Sequence, residues 1–573
     1  MEILEACGYY PYIGIKMLIQ KSLIAVVDGR FTMHDLVQEM GYYVVRGEHP
    51  NNPEKHSRLW KHEEIRSMCL GDATMENHHI EAIKYHDHDH SLQFYKTVSN
   101  MKRLRWLCVT LDDDGDEDSE GPSFLSNELR CIYWERYPKS PFPDSFQATK
   151  LVVLELSKCG QKTLWNGYKH LPNLEVLQLE EMKQLLNTPD FAGLPRLRKL
   201  TLSYCDELEE IHPSLGYHKR LEYVTISRCR KLRLFPTIVH MKKLKSLKIE
   251  FCFAILEFPE IQANMERLEE LSLQAVGIKV LPPSIGDLSN LQELNLSRNG
   301  FTQIAFSLSR LTQLKFLNLS YCRKLLDLPE LPSNLTTLKA DYCNSLRTVD
   351  FNRNCKWLCQ VSIMGGSIIN NAEILLQSML QGNAIENHSM HLQLQGLDVA
   401  KGFTPRLCEG SRFELQLPAN WRNDFCGFLL CAVWTNNYYW SSSVRISMRQ
   451  VTDSQHNVLW EESDSNSAYK STLVWYVSFD SLEDTSWWNQ THKSILFDIE
   501  DKHKECSGFG VGLVDKRSGS DHPTEISHDT SSYRHNYYRH NYYRHNFNIE
   551  GDSESALTIV LKSLLTTASN PMI

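Results

Sequence analysis

A repeat solenoid flanked by two unlike pieces is the fold class this sequence predicts, on three observations. Leu151, Leu174, Leu197, Leu221, Leu244, Leu268, Leu291, Leu314 and Leu335 each open a segment of the form L-x-x-L-x-L or its aliphatic equivalent, at steps of 21 to 24 residues. Ahead of them, residues 10–46 switch between helical and extended patterning. Behind them, residues 396–520 hold short apolar and aromatic strands with no helix between. The chain has 573 residues, room for about four ordinary domains, or fewer where a repeat array takes up the length.

In the front piece Ile15, Leu18 and Ile19 mark a short helix. Leu23 to Val27 and Phe31 to Met33 read as strands joined through Asp28-Gly29, a two-residue hairpin signal. A second helix starts near His34-Asp35, with Leu36, Met40 and Val44 on one face at i, i+4 and i+8. Helix, hairpin, helix is the pattern of a winged helix, assigned to residues 1–50, with 51–100 as a connector.

In the repeats, positions four and six alternate as strand residues do, so Leu154 and Leu156, Leu177 and Leu179, and Leu294 and Leu296 point to one face. One copy cannot bury that face; a stack can. With weaker copies at Leu104 and Leu129, residues 101–350 make about eleven leucine-rich repeats, an α/β solenoid whose parallel sheet lines a concave surface about 50 Å across. Position nine is Cys159, Cys205, Cys229, Cys252, Cys322 and Cys343 in six copies, read as small buried side chains under the turn rather than as metal ligands or disulfides. Prolines 14–16 residues after the opening leucines (Pro189, Pro213, Pro236, Pro259, Pro282, Pro329) belong on the irregular outer side.

Residues 351–395 close the array, with an amphipathic helix expected from Ala372 to Leu380. Phe413–Leu417, Phe428–Trp434, Val444–Met448, Thr472–Phe479, Ser494–Ile499 and Gly508–Val514 are the expected strands of an all-β sandwich over 396–560. Residues 533–547 repeat Tyr-Arg-His-Asn-aromatic three times, a low-complexity loop; 561–573 form a tail.

Sixty-one Lys and Arg against seventy Asp and Glu give a net charge of −9, which argues against general nucleic-acid binding. No apolar run reaches the roughly 20 residues of a membrane helix, so no membrane partner is expected. Cytoplasmic placement, with the nucleus as a second compartment, is the expectation. Between His218 and Lys248 ten basic residues face one acid. Registration places Arg228, Lys245 and Lys248 on the strands' free side beside Tyr223 and Phe251, a candidate partner-binding surface. Asp112 to Glu120 holds seven carboxylates and is expected as a solvated loop, without the spacing of a calcium site. His86-Asp87-His88-Asp89-His90 alternates as a strand does, so no metal site is assigned. There is no Gly-x-Ser-x-Gly elbow, His-Glu-x-x-His or Cys-x-x-Cys pair, hence no catalytic residue and no enzyme.

The stretch Met33-His34-Asp35-Leu36-Val37-Gln38-Glu39-Met40-Gly41, with Lys21-Ser22-Leu23-Ile24 before it and Ser57-Arg58-Leu59-Trp60 after, resembles the end of the nucleotide-binding switch (NB-ARC) domain of plant intracellular disease-resistance receptors of the TIR class. Glu414-Leu415-Gln416-Leu417-Pro418-Ala419-Asn420-Trp421, Phe425-Cys426-Gly427-Phe428 and Gly508-Phe509-Gly510-Val511-Gly512-Leu513-Val514 resemble the jelly-roll (C-JID) domain that follows the repeats in that family. The resemblance implies recognition of a pathogen effector or a guarded host protein in innate immunity. It also implies a nucleotide-sensing role for His34, with Asp35, toward bound ADP. That role needs a G-x-x-x-x-G-K-[ST] loop, which the sequence lacks, so no cofactor is expected and Asp35 is read as a helix cap. The expectation is a partial receptor without its TIR domain, where the family's NAD-cleaving chemistry resides. The alternatives are a decoy or regulator that pairs with a complete receptor, and an NAD hydrolase if a TIR domain lies upstream.

Overall fold

The computed structural model describes residues 11–27, 30–47, 49, 52–70, 79–87, 92–111, 120–328, 330–350, 357–365, 368–370, 372–381, 390–397, 399–400, 403, 406–435, 444–451, 470–500, 505–516, 547–553 and 555–561. Asp28-Gly29, the acidic run 112–118, His88 to His90, Pro329 and the triplicate 533–546 lie outside them. The chain divides into two compact units, 1–291 and 292–573.

The first unit opens with α1 (Pro11–Gln20), the antiparallel pair β1 (Ile24–Val27) and β2 (Arg30–Met33), and α2 (Asp35–Arg46). This is the winged-helix order. Leu36, Met40 and Val44 share one face of α2 as expected, and all three are exposed. A run of parallel strands follows: β3 (Arg58–Leu59), β4 (Ala82–Asp87), β5 (Trp106–Leu111), β6 (Cys131–Glu135), β7 (Val153–Ser157), β8 (Val176–Glu180), β9 (Lys199–Ser203), β10 (Tyr223–Ser227), β11 (Ser246–Glu250) and β12 (Glu270–Ser272). Each pairs in register with the next. Two helices, α3 (His62–Leu70) and α4 (Leu92–Ser99), sit between the first strands. The stretch expected as a connector thus supplies β3 and β4 to the repeat sheet.

The register explains why the repeats hold. Leu154, Leu177 and Leu200 pair in one row, and Leu156, Leu179 and Leu202 in another, all fully buried. Each buried leucine contributes about 1.5–3 kcal/mol relative to exposure, so two per repeat outweigh any single surface contact. On the outer side, successive backbones touch. A Cβ on Gly193 would lie 2.0 Å from the carbonyl oxygen of Lys169, and one on Gly216 would lie 1.9 Å from that of Thr237, so only glycine fits.

The second unit continues the pattern with β13 (Glu293–Asn295), β14 (Phe316–Asn318), β15 (Thr337–Lys339), the short pair β16 (Thr348–Asp350) and β18 (Ile368–Asn370), β17 (Gln360–Ile363), α5 (Ala372–Gln381) and β19 (Met390–Gln395). β13, β14, β15, β17 and β19 form one parallel run. β19 then pairs antiparallel with β24 (Ser471–Ser478), so the repeat sheet passes directly into the sandwich. One sandwich sheet runs β19, β24, β22 (Phe425–Trp434), β26 (Cys506–Asp515) and β20 (Cys408–Glu409). The other runs β21 (Arg412–Gln416), β25 (Ser494–Ile499), β23 (Val444–Gln450), β28 (Ala556–Leu561) and β27 (Phe547–Asp552). Phe428, Leu430, Trp434, Trp475, Phe497, Phe509 and Ile559 fill the space between them. The six strands expected from sequence are present; β27 and β28 complete the second sheet after the low-complexity segment.

Where the parallel run meets the sandwich, residues facing away from the leucines are buried too: Thr337, Lys339, Gln360, Ser362, His391 and Gln393. Asp341 accepts hydrogen bonds from Ser362 Oγ (2.7 Å) and the Met364 amide (3.1 Å). His391, packed 5.8 Å from the Trp475 ring, has no hydrogen-bond partner on either ring nitrogen among the described residues. Burial, helped by the Lys339 charge, pulls its pKa down to about 3. The unfolded histidine titrates near 6.5, so between those values the unfolded state holds more protons and stability falls as pH drops below about 6.5. At pH 5 this amounts to about 2 kcal/mol. His391→Leu is expected to flatten the fall in melting temperature between pH 7 and pH 5; a fall of unchanged size in the variant would contradict it.

Candidate functional site

From β6 onward the repeat strands of the first unit leave the sheet through the same turn. Its first residue has a left-handed backbone: Arg136, Lys158, Glu181, Tyr204, Arg228, Phe251 and Ala275 in the first unit, with φ between 52° and 61°. A non-glycine residue there costs on the order of 1–3 kcal/mol. The turn recovers hydrogen bonds in exchange: the Tyr204 amide donates to the Ser227 carbonyl and the Arg228 amide to Glu250, each at 2.9 Å. The next residue is buried in each case, a cysteine in four of the seven (Cys159, Cys205, Cys229, Cys252) and Tyr137, Met182 and Val276 in the others. Cys229 Sγ donates to the Ser227 carbonyl (3.6 Å) and reaches back to that of Leu202 (3.9 Å). The cysteine column is therefore a set of backbone ties. Burial raises the thiols of Cys159, Cys322, Cys343 and Cys359 to about 12. Cys229 also reaches about 12, chiefly through its neighbour Cys205.

The left-handed residue projects its side chain at the rim of the open face, one per repeat. Three successive rungs make a stack: the Arg228 guanidinium lies 5.1 Å from the Tyr204 ring centroid and 5.1 Å from that of Phe251. Such a contact contributes about 0.5–2 kcal/mol and fixes the guanidinium plane. Among the described residues no acceptor or carboxylate meets the Arg228 side-chain N–H groups, so its donors remain available.

The other predicted cations are differently placed. Lys245 Nζ sits 5.8 Å over the Tyr223 ring and 3.2 Å from Glu222; Lys248 Nζ is 2.7 Å from Glu270. Arg198 bridges Glu222 (3.2 Å) and Glu175 (3.4 Å). Burial pushes the Glu222 carboxyl up, but hydrogen bonds from Arg198 and Lys245 win and hold it below the usual range. Lys231 pairs with Glu207 (2.6 Å) and Arg230 with Asp206 (3.4 Å). Four of the ten basic residues read from residues 218–248 are thus paired with acids one repeat away. A window along the sequence cannot see partners 22 to 24 positions distant.

Of the predicted residues, Tyr223 meets Lys245 at the start of β10 and Arg228 meets Phe251 past its end, while Lys248 lies between them on β11. His34 and Asp35 are exposed at the start of α2. The cap is His34, whose Nδ1 accepts from the Leu36 amide at 3.2 Å, with Asp35 as the first helical residue. The assignment of Asp35 as the cap is therefore corrected. His86 is described, its carbonyl 2.8 Å from His62 Nδ1. Among the described residues no group of three or more His, Cys, Asp or Glu side chains is arranged to hold a metal, and no helix is long and apolar enough to cross a membrane.

Sequence reasoning missed a second patch. Trp106, Cys131, Val153 and Val176 pair in one row across β5 to β8, on the face opposite the leucines. With Tyr133 and Val152 they form a small apolar cluster of their own, the Trp106 and Tyr133 rings 6.3 Å apart. Its signal was available: apolar residues at positions three and five of successive repeats, where polar ones are usual.

These features define a leucine-rich-repeat protein with a winged helix ahead of the repeats and an all-β region behind. Two family models match: a Roq1-like disease-resistance winged-helix domain over residues 1–49, and a leucine-rich repeat over 266–323. The chain's homologues are plant disease-resistance proteins of the TIR class. It is 34% identical over 288 residues to TMV resistance protein N of Nicotiana glutinosa, covering 50% of this chain and 24% of that protein. It is 28% identical over 400 residues to disease resistance protein RPS4B of Arabidopsis thaliana, covering 59% of this chain and 33% of that one. A solved leucine-rich-repeat protein of Leptospira interrogans has a TM-score of 0.38 at 17% identity, covering 55% of this chain and 86% of its own. The chain spans about a quarter to a third of these plant relatives.

The thiol ladder carries a chemical expectation. Iodoacetamide at pH 8 should leave Cys159, Cys229 and Cys322 unmodified in the folded chain and alkylate all 16 cysteines after denaturation. Peptide mass spectrometry reads the result; rapid labelling of Cys229 in the folded state would show the column is open.

Proposed function

We propose that this chain is the recognition part of a plant disease-resistance protein, and that the open face of its first repeat unit binds a pathogen effector or a guarded host protein. The observation that carries this reading is Arg228, clamped on both faces by Tyr204 and Phe251 with its N–H groups unoccupied among the described residues. A guanidinium held flat at a sheet rim is prepared to take a carboxylate bidentately at little entropic cost. Lys245 and Lys248 lie on the same repeats, and their pairing with Glu222 and Glu270 sets the register of a partner more than its affinity. The chain acts in this reading by binding, without catalysis and without a nucleotide; His34 serves α2 as its cap. Signalling belongs to a complete receptor, with which the chain acts in the cytoplasm or nucleus.

The test is affinity capture from challenged leaf tissue with the wild-type chain and an Arg228→Glu, Lys248→Glu variant, quantified by mass spectrometry. At least one host or pathogen protein should be retained by the wild type and fall about tenfold or more with the variant. Indistinguishable captured sets would overturn the reading.

A further inference from the structure

Trp106, Tyr133 and Val176, half-buried and packed against the buried Cys131 and Val153, lie on the same open face as Arg228, and two carboxylates beside them set them apart. Glu155 is next to Tyr133 in the row of positions that includes Cys108 and Gln178; Glu180 is on β8, one residue row further along. Five other acids of this face have side-chain partners. Glu135 meets Lys158 at 2.7 Å, Glu175 meets Arg198, Glu222 meets Arg198 and Lys245, Glu250 accepts from Ser272 Oγ at 2.7 Å, and Glu270 meets Lys248. Glu155 and Glu180 have no hydrogen-bond donor or cation within contact among the described residues. Burial pushes the Glu155 carboxyl up, with Lys199 offsetting part of the shift and the Glu180 charge adding to it.

We propose that this patch is a docking subsite for a partner segment that carries two or three apolar side chains followed by a lysine or arginine. The proposal rests on the reading that the open face binds a protein, and names the chemistry of one part of that partner. Four strands at about 4.8 Å spacing make the patch about 14 Å across, enough to seat the roughly 10 Å over which a helix presents apolar residues at i, i+3 or i+4, and i+7. An aromatic pair ringed by smaller apolar side chains is the composition of an interface anchor. Covering it removes more water from Glu155, and a half-buried carboxylate that loses water without gaining a cation opposes binding. A basic side chain next to the apolar stripe removes that obstacle. A neutral or acidic neighbour leaves it in place, so the two acids select the partner as well as attract it.

Two fluorescent 16-residue amphipathic peptides, identical except that lysine or glutamate flanks the apolar stripe, test this by anisotropy against the full chain. The lysine peptide should bind about tenfold or more tightly than the glutamate peptide. Glu155→Gln with Glu180→Gln should erase most of that difference while retaining binding of both. Trp106→Ala should weaken both peptides, with circular dichroism confirming the fold. Arg228→Ala should leave the preference for lysine intact, which separates this subsite from the clamp. Equal binding of the two peptides to the wild type, or binding indifferent to both Trp106 and the two glutamates, overturns the subsite. If Arg228→Glu still abolishes capture of a tissue protein, recognition by the open face stands without it.

Discussion

A repeat in this chain can bury its leucines only against the repeats on either side, and the parallel register that permits this constrains the rest. From β6 onward it brings the strands of the first unit to the same height and out through the same turn. The turn takes one left-handed residue and then one buried side chain, most often a cysteine. The cysteine fills the second position and ties its sulfur to two carbonyls. The first position is filled by whatever residue the binding face requires, with interrepeat hydrogen bonds offsetting the backbone strain. Rim chemistry and folding chemistry thus occupy adjacent positions without competing.

The same register sorts charge. Side chains one repeat apart lie about 5 Å apart, so acids and bases 22 to 24 residues distant become neighbours. Exposed pairs of this kind contribute only about 0–1 kcal/mol each to stability. Their larger effect is to neutralise the paired charges of the face, leaving contrast at the places where a charge is not matched. Arg228 is one such place and the Glu155–Glu180 pair another, of opposite sign, on one sheet.

The sequence shows the solenoid because its period is long-range and regular: nine leucines at steps of 21 to 24 admit no other arrangement. It shows the hairpin and helices of the front piece and six sandwich strands because each is a local pattern. It does not show which cations are free, since that depends on partners outside any local window. Lys248 and Arg228 look alike in sequence, yet one is bound to Glu270 and the other stacked between rings. His34 as the cap of α2 was also hidden, because imidazole is an uncommon capping group and Asp35 beside it is a common one. β27 and β28 escaped notice because a low-complexity segment separates them from their partner strands.

One topological detail of the second unit bears on how this part of the molecule comes apart. β19 is shared: it pairs with β17 of the parallel run and with β24 of the sandwich. A protease or a truncation that removes the sandwich at this strand would uncover a raw sheet edge on the repeats, a template for aggregation. The last repeats and the sandwich are accordingly one cooperative block, to be expressed, cut or exchanged between proteins together.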